Sequence, residues 1–282
     1  TANFFSLFWN ERFNIIMKKK AHQNPIAKQS PSFGKLLMPL IFLALVVFSC
    51  THSKQQSNQI RKNNALKNTA KTETFQEIGF LGEVKKREWN SFLQAVRNNI
   101  MYSRREARNI SFSLYQPVDG RMQPIWFERF KDKAAHNYHK EQEYFKNAIT
   151  VIQQSLTGEA HSITLKVVDG LSATVPKAAH QPEDSRHVIV LFDVKSEKRT
   201  AFIDAMAAAA PLSRSAQGNL EFNLYVYADD TNKFVLVEGW QTVADHERQL
   251  IQDHIKRLNS TTKDFFVSNP LDTRLVLKDI SQ

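Results

Sequence analysis

Asn109-Ile110-Ser111-Phe112-Ser113-Leu114-Tyr115 returns 110 residues later as Asn219-Leu220-Glu221-Phe222-Asn223-Leu224-Tyr225, with Asn, Phe, Leu and Tyr at the same four places. The same displacement carries Phe92 onto Phe202, Ser103-Arg104 onto Ser213-Arg214, Glu128 onto Glu238 and His136 onto His246. Without a gap, 19 of the 92 positions from 78 to 169 are identical to their counterparts, about three times what chance matching gives. A repeat of this length is a whole domain. The chain therefore reads as two copies, 76–169 and 187–282, joined by a linker over 170–186 that carries Pro176 and Pro182 and few large apolar side chains.

Each copy reads strand, helix, strand, strand, helix, strand. In the second, Val188 to Val194 is an apolar strand, and Glu197 to Ala210 is an alanine-rich helix expected to stop at Pro211. From Asn219 to Tyr227, Leu220, Phe222, Leu224 and Val226 alternate with Glu221, Asn223, Tyr225 and Tyr227, the period of a strand. A turn at Asp229-Asp230-Thr231-Asn232 leads into a strand over Phe234 to Trp240, then a helix over Val243 to Leu258 and a closing strand over Thr273 to Leu277. Two helices and four strands in βαββαβ order predict an α+β, ferredoxin-like unit with both helices on one face of its sheet. The other face needs a cover, and the second copy is expected to supply it, sheet against sheet, as an intrachain pseudo-dimer.

The net charge of +10 suggests nucleic acid until it is placed along the chain. Residues 1–50 carry six Lys and Arg against Glu11, and residues 51–75 carry five against Glu73, leaving 27 basic and 26 acidic residues in 76–282. The folded part has no surplus of cations with which to neutralise phosphates, so no nucleic acid partner is expected. The single cysteine, Cys50, excludes an intrachain disulfide and a thiolate metal cluster. It ends an apolar run from Leu36 to Phe48, preceded by Lys18, Lys19, Lys20, Lys28 and Lys35, the layout of a signal segment. Such a run spans about 20 Å as a helix, short of a ~30 Å hydrocarbon core. Val47-Phe48-Ser49-Cys50 resembles a bacterial lipobox, in which the cysteine is lipidated, although Phe48 departs from its usual pattern. An uncleaved signal anchor and a buried apolar helix are the alternatives. The expectation is a signal segment over 1–50 with its natural start at Met17, a polar tether over 51–75, and a lipid anchor at Cys50 that holds the protein in the bacterial cell envelope, facing the periplasm or exterior.

Gly218-Asn219-Leu220-Glu221-Phe222-Asn223-Leu224 and Val235-Leu236-Val237-Glu238-Gly239-Trp240 resemble the antibiotic biosynthesis monooxygenase family, small ferredoxin-like proteins that pair as dimeric α+β barrels. That pattern has a strand ending in Glu-x-Trp and a following helix with one His nine residues after the Trp and another fourteen after it. In the second copy the fourteenth residue is His254 and the ninth is Gln249; in the first, Phe130 replaces the Trp, the ninth residue is His139 and the fourteenth is Tyr144. The resemblance implies oxidation of a quinol or other phenolic aromatic by O2 with no cofactor. Such chemistry needs a base for a phenolic proton and a dry apolar pocket. It also implies two tandem domains packed as an intrachain barrel. The haem-degrading members have an Asn on the first strand, near Leu191 or Phe192 here, or near Leu81 or Gly82 in the first copy; none is Asn, which leaves haem a minor possibility. A non-catalytic lipoprotein holding a quinone, porphyrin or other flat hydrophobic ligand is the alternative function.

By that resemblance His254, Glu238 and His139 are the expected catalytic residues, and Trp240, Asn219, Tyr225 and Phe222 the expected substrate-binding set, with the second copy the more active. Glu238 and Trp240 share one strand face, as do Glu128 and Phe130. Each has a structural reading beside the functional one: a Glu paired within the fold, a Trp in the core, an Asn serving a turn. His136 and His139, three apart on a helix, suggest a metal triplet with Glu143, but a solvated helix face explains them as well, and no metal is expected. Arg104 and Arg214 are explained by the C-terminal dipole of the preceding helix.

Overall fold

A computed structural model describes residues 73–282; the signal segment, Cys50 and the tether up to residue 72 lie outside the described residues. Eight strands close into one antiparallel barrel. The first copy contributes β1 (Phe75–Phe80), β2 (Asn109–Pro117), β3 (Ile125–Phe130) and β4 (His161–Val167), with helices α1 (Trp89–Ser103), α2 (Lys133–Lys140) and α3 (Glu143–Ser155). The second contributes β5 (Arg186–Asp193), β6 (Asn219–Tyr227), β7 (Lys233–Trp240) and β8 (Leu275–Asp279), with α4 (Arg199–Ser215), α5 (Val243–Leu250) and α6 (Asp253–Thr262). Each half is a ferredoxin-like sheet, ordered β4-β1-β3-β2 and β8-β5-β7-β6, and the halves join through β2 with β8 and β4 with β6. The two copies therefore meet through hydrogen-bonded edges as well as face to face. Each seam is three residue pairs long, Tyr115–Pro117 with Leu277–Asp279 and Leu165–Val167 with Tyr225–Tyr227, so each of the described strands has a neighbour on both sides.

Strand alternation builds two kinds of core. Ile78, Phe127, Leu165, Ile189, Val235, Leu277, Tyr115 and Tyr225 point into the barrel. Outside it, Phe92, Val96, Ile100, Phe112, Leu114 and Trp126 form the core beneath the helices of the first copy; Phe202, Met206, Phe222, Leu224, Phe234 and Leu236 do so in the second. Arg104 and Arg214 tie helix to sheet in the same way in both copies, each Nε donating to the carbonyl of Phe112 (2.8 Å) or Phe222 (3.0 Å). That strand carbonyl, more than the helix dipole, accounts for the repeated arginine.

Two local expectations are corrected. Helix α4 continues through Pro211 to Ser215, because Pro211 lies on the exposed side, where the carbonyl it leaves unpaired can reach water. The single helix expected over Val243 to Leu258 is two, α5 and α6, broken at Ile251-Gln252, and the first copy breaks at the same place between α2 and α3. The linker is pinned: the backbone N–H of Thr174 donates to Asn223 Oδ1 (2.9 Å), and that of Lys177 to the Leu220 carbonyl (3.0 Å). The repeat also slips by one residue in its first strand. Ile78 opposes Phe127 and Ile189 opposes Val237, so the counterpart of Glu77 is Val188 and not His187.

Candidate active site

In the first copy the antiparallel register sets Glu77 of β1 directly opposite Glu128 of β3, both on the face that the helices cover. Phe75 and Gly79 flank Glu77 on β1; Trp126 and Phe130 flank Glu128 on β3. A Cβ at Gly79 would overlap the Trp126 indole, so the glycine is what lets that ring lie over the sheet. Their counterparts are Val190 and Leu236, which share the volume differently.

Helix α2 lowers two imidazoles onto this surface. Asp132 caps its start, accepting from the Ala135 N–H (2.8 Å), and fixes where the first turn lands. His136 Nε2 lies 3.1 Å from Glu128 Oε1, and the ring stacks on Phe75 at 4.1 Å. His139 is fully buried; its Nδ1 lies 2.6 Å from Glu106 Oε1, which also accepts from the Tyr144 hydroxyl at 2.7 Å. In the tautomer with hydrogen on Nδ1 that atom donates to Glu106 and Nε2 carries the free lone pair; Nε2 lies 3.9 Å from Glu128 Oε2. Phe112, Phe130 and Phe145 surround that imidazole. The solvated face expected for His136 and His139 is thus a buried one, and Glu143 stays exposed, beside Lys146 at 3.3 Å.

Burial sets the titration of these groups. It pushes the Glu128 carboxyl up to about 7 and pulls the His136 imidazole down to about 3. Glu77 is raised by burial and by Glu128 across the ladder, and Tyr144 is raised by burial and by Glu106. Among the described residues, five buried polar atoms without a hydrogen-bond partner belong to this copy: Asn99 Oδ1 and Nδ2, Trp126 Nε1, Glu128 Oε2 and His139 Nε2. Buried polar groups are normally satisfied; the second copy has three such atoms, His187 Nδ1, His246 Nε2 and Gln249 Oε1.

The second copy keeps the frame and changes the chemistry. Glu238 accepts from Trp240 Nε1 at 3.2 Å, and Trp240 packs near His246, ring centres 6.2 Å apart. Where the first copy has His139, Glu106 and Tyr144, the second has Gln249, Ala216 and His254. Gln249 Nε2 donates to Ser213 Oγ at 2.6 Å, and His254 Nε2 lies 3.2 Å from both groups. The hydrogen bonds of His254 thus run to Ser213 and Gln249, while Glu238 is bound by Trp240. His254 is half-buried and its pKa is lowered by that burial, with Arg257 adding to the effect.

Glu238 has a consequence for stability. Burial pushes its carboxyl up to about 7 from 4.5, against the opposing hydrogen bond from Trp240. Between those values the folded chain keeps a proton that the unfolded chain releases, so this group's stabilisation is present below 4.5 and lost as pH rises through 7. His246, pulled down to about 4 by burial, acts in the opposite sense, so the comparison of variant with parent isolates Glu238. Glu238→Gln is expected to raise stability at pH 8 by up to about 3 kcal/mol and to change it little at pH 4, read by urea unfolding. Equal shifts at both pH values would place the effect outside titration.

The remaining expected residues divide between the two faces. Phe222 lies beneath the helices, beside Glu238 in register, whereas Tyr225 points into the barrel and accepts from Arg129 Nη1 at 3.1 Å. Asn219 is buried at a bulge and donates to the Glu221 carbonyl at 3.0 Å. Sequence reasoning missed Glu77, Glu106, Asn99 and Trp126. Glu106 lies in the turn after the first helix, and only folding brings it under Tyr144 and His139.

A pseudo-symmetric ferredoxin-like barrel with buried carboxylates and imidazoles beneath its helices defines the class, a tandem ferredoxin-like α+β-barrel protein. The chain belongs to the antibiotic biosynthesis monooxygenase family, whose model matches residues 83–151 and 185–260, one match in each copy. Similar folds occur in a candidate monooxygenase of Fusobacterium nucleatum subsp. nucleatum (18% identity over 75% of this chain and 94% of that one, TM-score 0.67). Another is a candidate monooxygenase of Lactobacillus acidophilus (14% identity, 73% and 93%, TM-score 0.63). An anthrone oxidase-like protein is also similar (12% identity, 74% and 92%, TM-score 0.52). Among curated proteins, none matches the chain.

Proposed function

We propose that this protein oxidises a phenolic or quinol-type aromatic molecule with O2, and that the first copy is its working site. The observation that carries this reading is His139: a fully buried imidazole held through Nδ1 by Glu106, with Nε2 unpartnered and ringed by aromatic side chains. In this role Nε2 takes the phenolic proton, and Glu106, braced by Tyr144, steadies the imidazolium that results. Phe75, Phe112, Phe130 and Trp126 exclude water from the electron-rich anion while it meets O2. For an anthrone the balance is one ring methylene and one O2 converted to one ketone carbonyl and one water; the substrate supplies the electrons, so flavin, nicotinamide and haem have no part. The precedence expected for the second copy is reversed on this reading, because Gln249 cannot serve as a base and Ala216 cannot orient one. The test is O2 uptake by the full chain against a panel of anthrones and quinols. Uptake with none of them, together with tight binding of quinones or porphyrins, would make the protein a carrier.

The same proposal places the protein on a membrane through a lipid on Cys50, which would bring the barrel to where hydrophobic quinols reside; the support is the sequence from Lys35 to Cys50. Cys50→Ala is expected to move the protein from the membrane to the soluble fraction on cell fractionation. Retention in the membrane would mean an uncleaved signal anchor.

A further inference from the structure

Glu77 and Glu128 pose a problem that the proposed oxidation does not solve. Like charges directly opposite on adjacent strands repel, and here the pair lies under a helix with Glu128 only 1% exposed. One ligand atom from each of Glu77, Glu128 and His136 falls within 4.8 Å of the others, and the Glu128–His136 separation is 3.1 Å. Ligand atoms around an ion with bonds near 2.1 Å lie about 3 Å apart when adjacent and about 4.2 Å apart when opposite, so Glu128 and His136 already have the spacing of adjacent ligands and a side-chain adjustment of Glu77 completes the set. Beside this cluster two buried atoms face each other without a hydrogen bond, Glu128 Oε2 and His139 Nε2, 3.9 Å apart. Glu77 is half-buried, which gives an ion a way in.

We propose that Glu77, Glu128 and His136 bind one divalent first-row metal ion, in the first copy only. Two carboxylates and one imidazole form a donor set for Mn2+, Fe2+ or Zn2+. Two groups already touch these ligands: Thr164 Oγ1 donates to Glu77 Oε2 at 3.4 Å, and Lys133 Nζ lies 3.5 Å from His136 Nδ1. Lys133 is exposed and its charge sits at the imidazole nitrogen opposite the donor Nε2, where it opposes the approach of a cation. The second copy is an internal control. It retains Glu238 and His246 but has Val188 in place of Glu77, which removes one carboxylate and the charge repulsion together. The ion is not needed to balance the oxidation above, and its binding is read without substrate, so either proposal can fail alone.

The test is titration of the tag-free full chain with Mn2+, followed by electron paramagnetic resonance and calorimetry. One ion per chain is expected, with affinity reduced at least tenfold in Glu77→Gln and in Glu128→Gln, and unchanged in Glu238→Gln. Lys133→Met is expected to tighten binding, and this variant keeps the proposal testable if either carboxamide variant folds poorly. Absence of saturable binding, two equivalent ions per chain, or affinity indifferent to Glu77→Gln, Glu128→Gln and Lys133→Met would overturn it.

Discussion

Arg129→Met is expected to lower the unfolding free energy by about 3–5 kcal/mol, because it strands a buried carboxylate. Inside the barrel Arg129 makes a two-pronged pair with Glu221, at 2.7 and 3.3 Å, and also donates to Ser111 Oγ at 2.6 Å and to the Tyr225 hydroxyl at 3.1 Å. Arg129 and Glu221 are 3% and 2% exposed, so water cannot compensate the charge left behind. Asn223 helps to hold Glu221, donating to its Oε2 at 3.1 Å. The double change Arg129→Met with Glu221→Leu is expected to recover most of the loss, since replacing both charges with apolar groups leaves neither desolvated. Urea unfolding of the two variants decides this; equal destabilisation in both would mean that the cavity, and not the charge, was at fault.

That pair also makes the two copies complementary to each other. The repeat maps Arg129 onto Gly239 and Glu221 onto Ser111, so the symmetry-related contact carries no charge. Two first copies pairing together would bury two unpartnered arginines, and two second copies would bury two unpartnered glutamates. Only the mixed pairing neutralises both, which makes the halves mutually specific.

His139→Gln is expected to lower kcat by about 10²- to 10⁴-fold, the range for loss of a positioned proton acceptor. Glutamine is the residue the second copy uses at this place, as Gln249, so the fold accepts it. KM is expected to move by only a few-fold, because the aromatic walls that would hold the substrate are untouched. His254→Gln is the paired control, expected to leave turnover within about threefold, since His254 hydrogen-bonds to Ser213 and Gln249. Steady-state O2 uptake with an anthrone reads both. The opposite ranking would return the work to the second copy.

The architecture was legible because it is written twice. A recurrent Phe-x-Leu-Tyr strand and an alternating apolar face are local signals, and duplication separates them from chance. The site was legible only in part, for a physical reason. Glu128 lies on a strand whose face follows from alternation, but the helix face of His139, read as solvated, is buried, and Glu106 and Tyr144 are brought to His139 by a turn and a helix break that no short-range pattern encodes. Glu77 was hidden by the one-residue slip in the first strand, which aligned it with His187 when its true counterpart is Val188. Tyr225, joined to Phe222 by motif, lies on the opposite face of the sheet because three residues separate them along a strand of period two. The swap of His139, Glu106 and Tyr144 for Gln249, Ala216 and His254 becomes intelligible only when all three are seen to touch in one copy.

The most direct measurement is turnover of an anthrone under 18O2 by the full chain, with product and water analysed by mass spectrometry. Oxidation at the first copy predicts one labelled oxygen atom in the ketone and one in water, with the product falling by at least 10²-fold in His139→Gln. Unlabelled ketone, or labelled ketone formed equally well by His139→Gln, would contradict it.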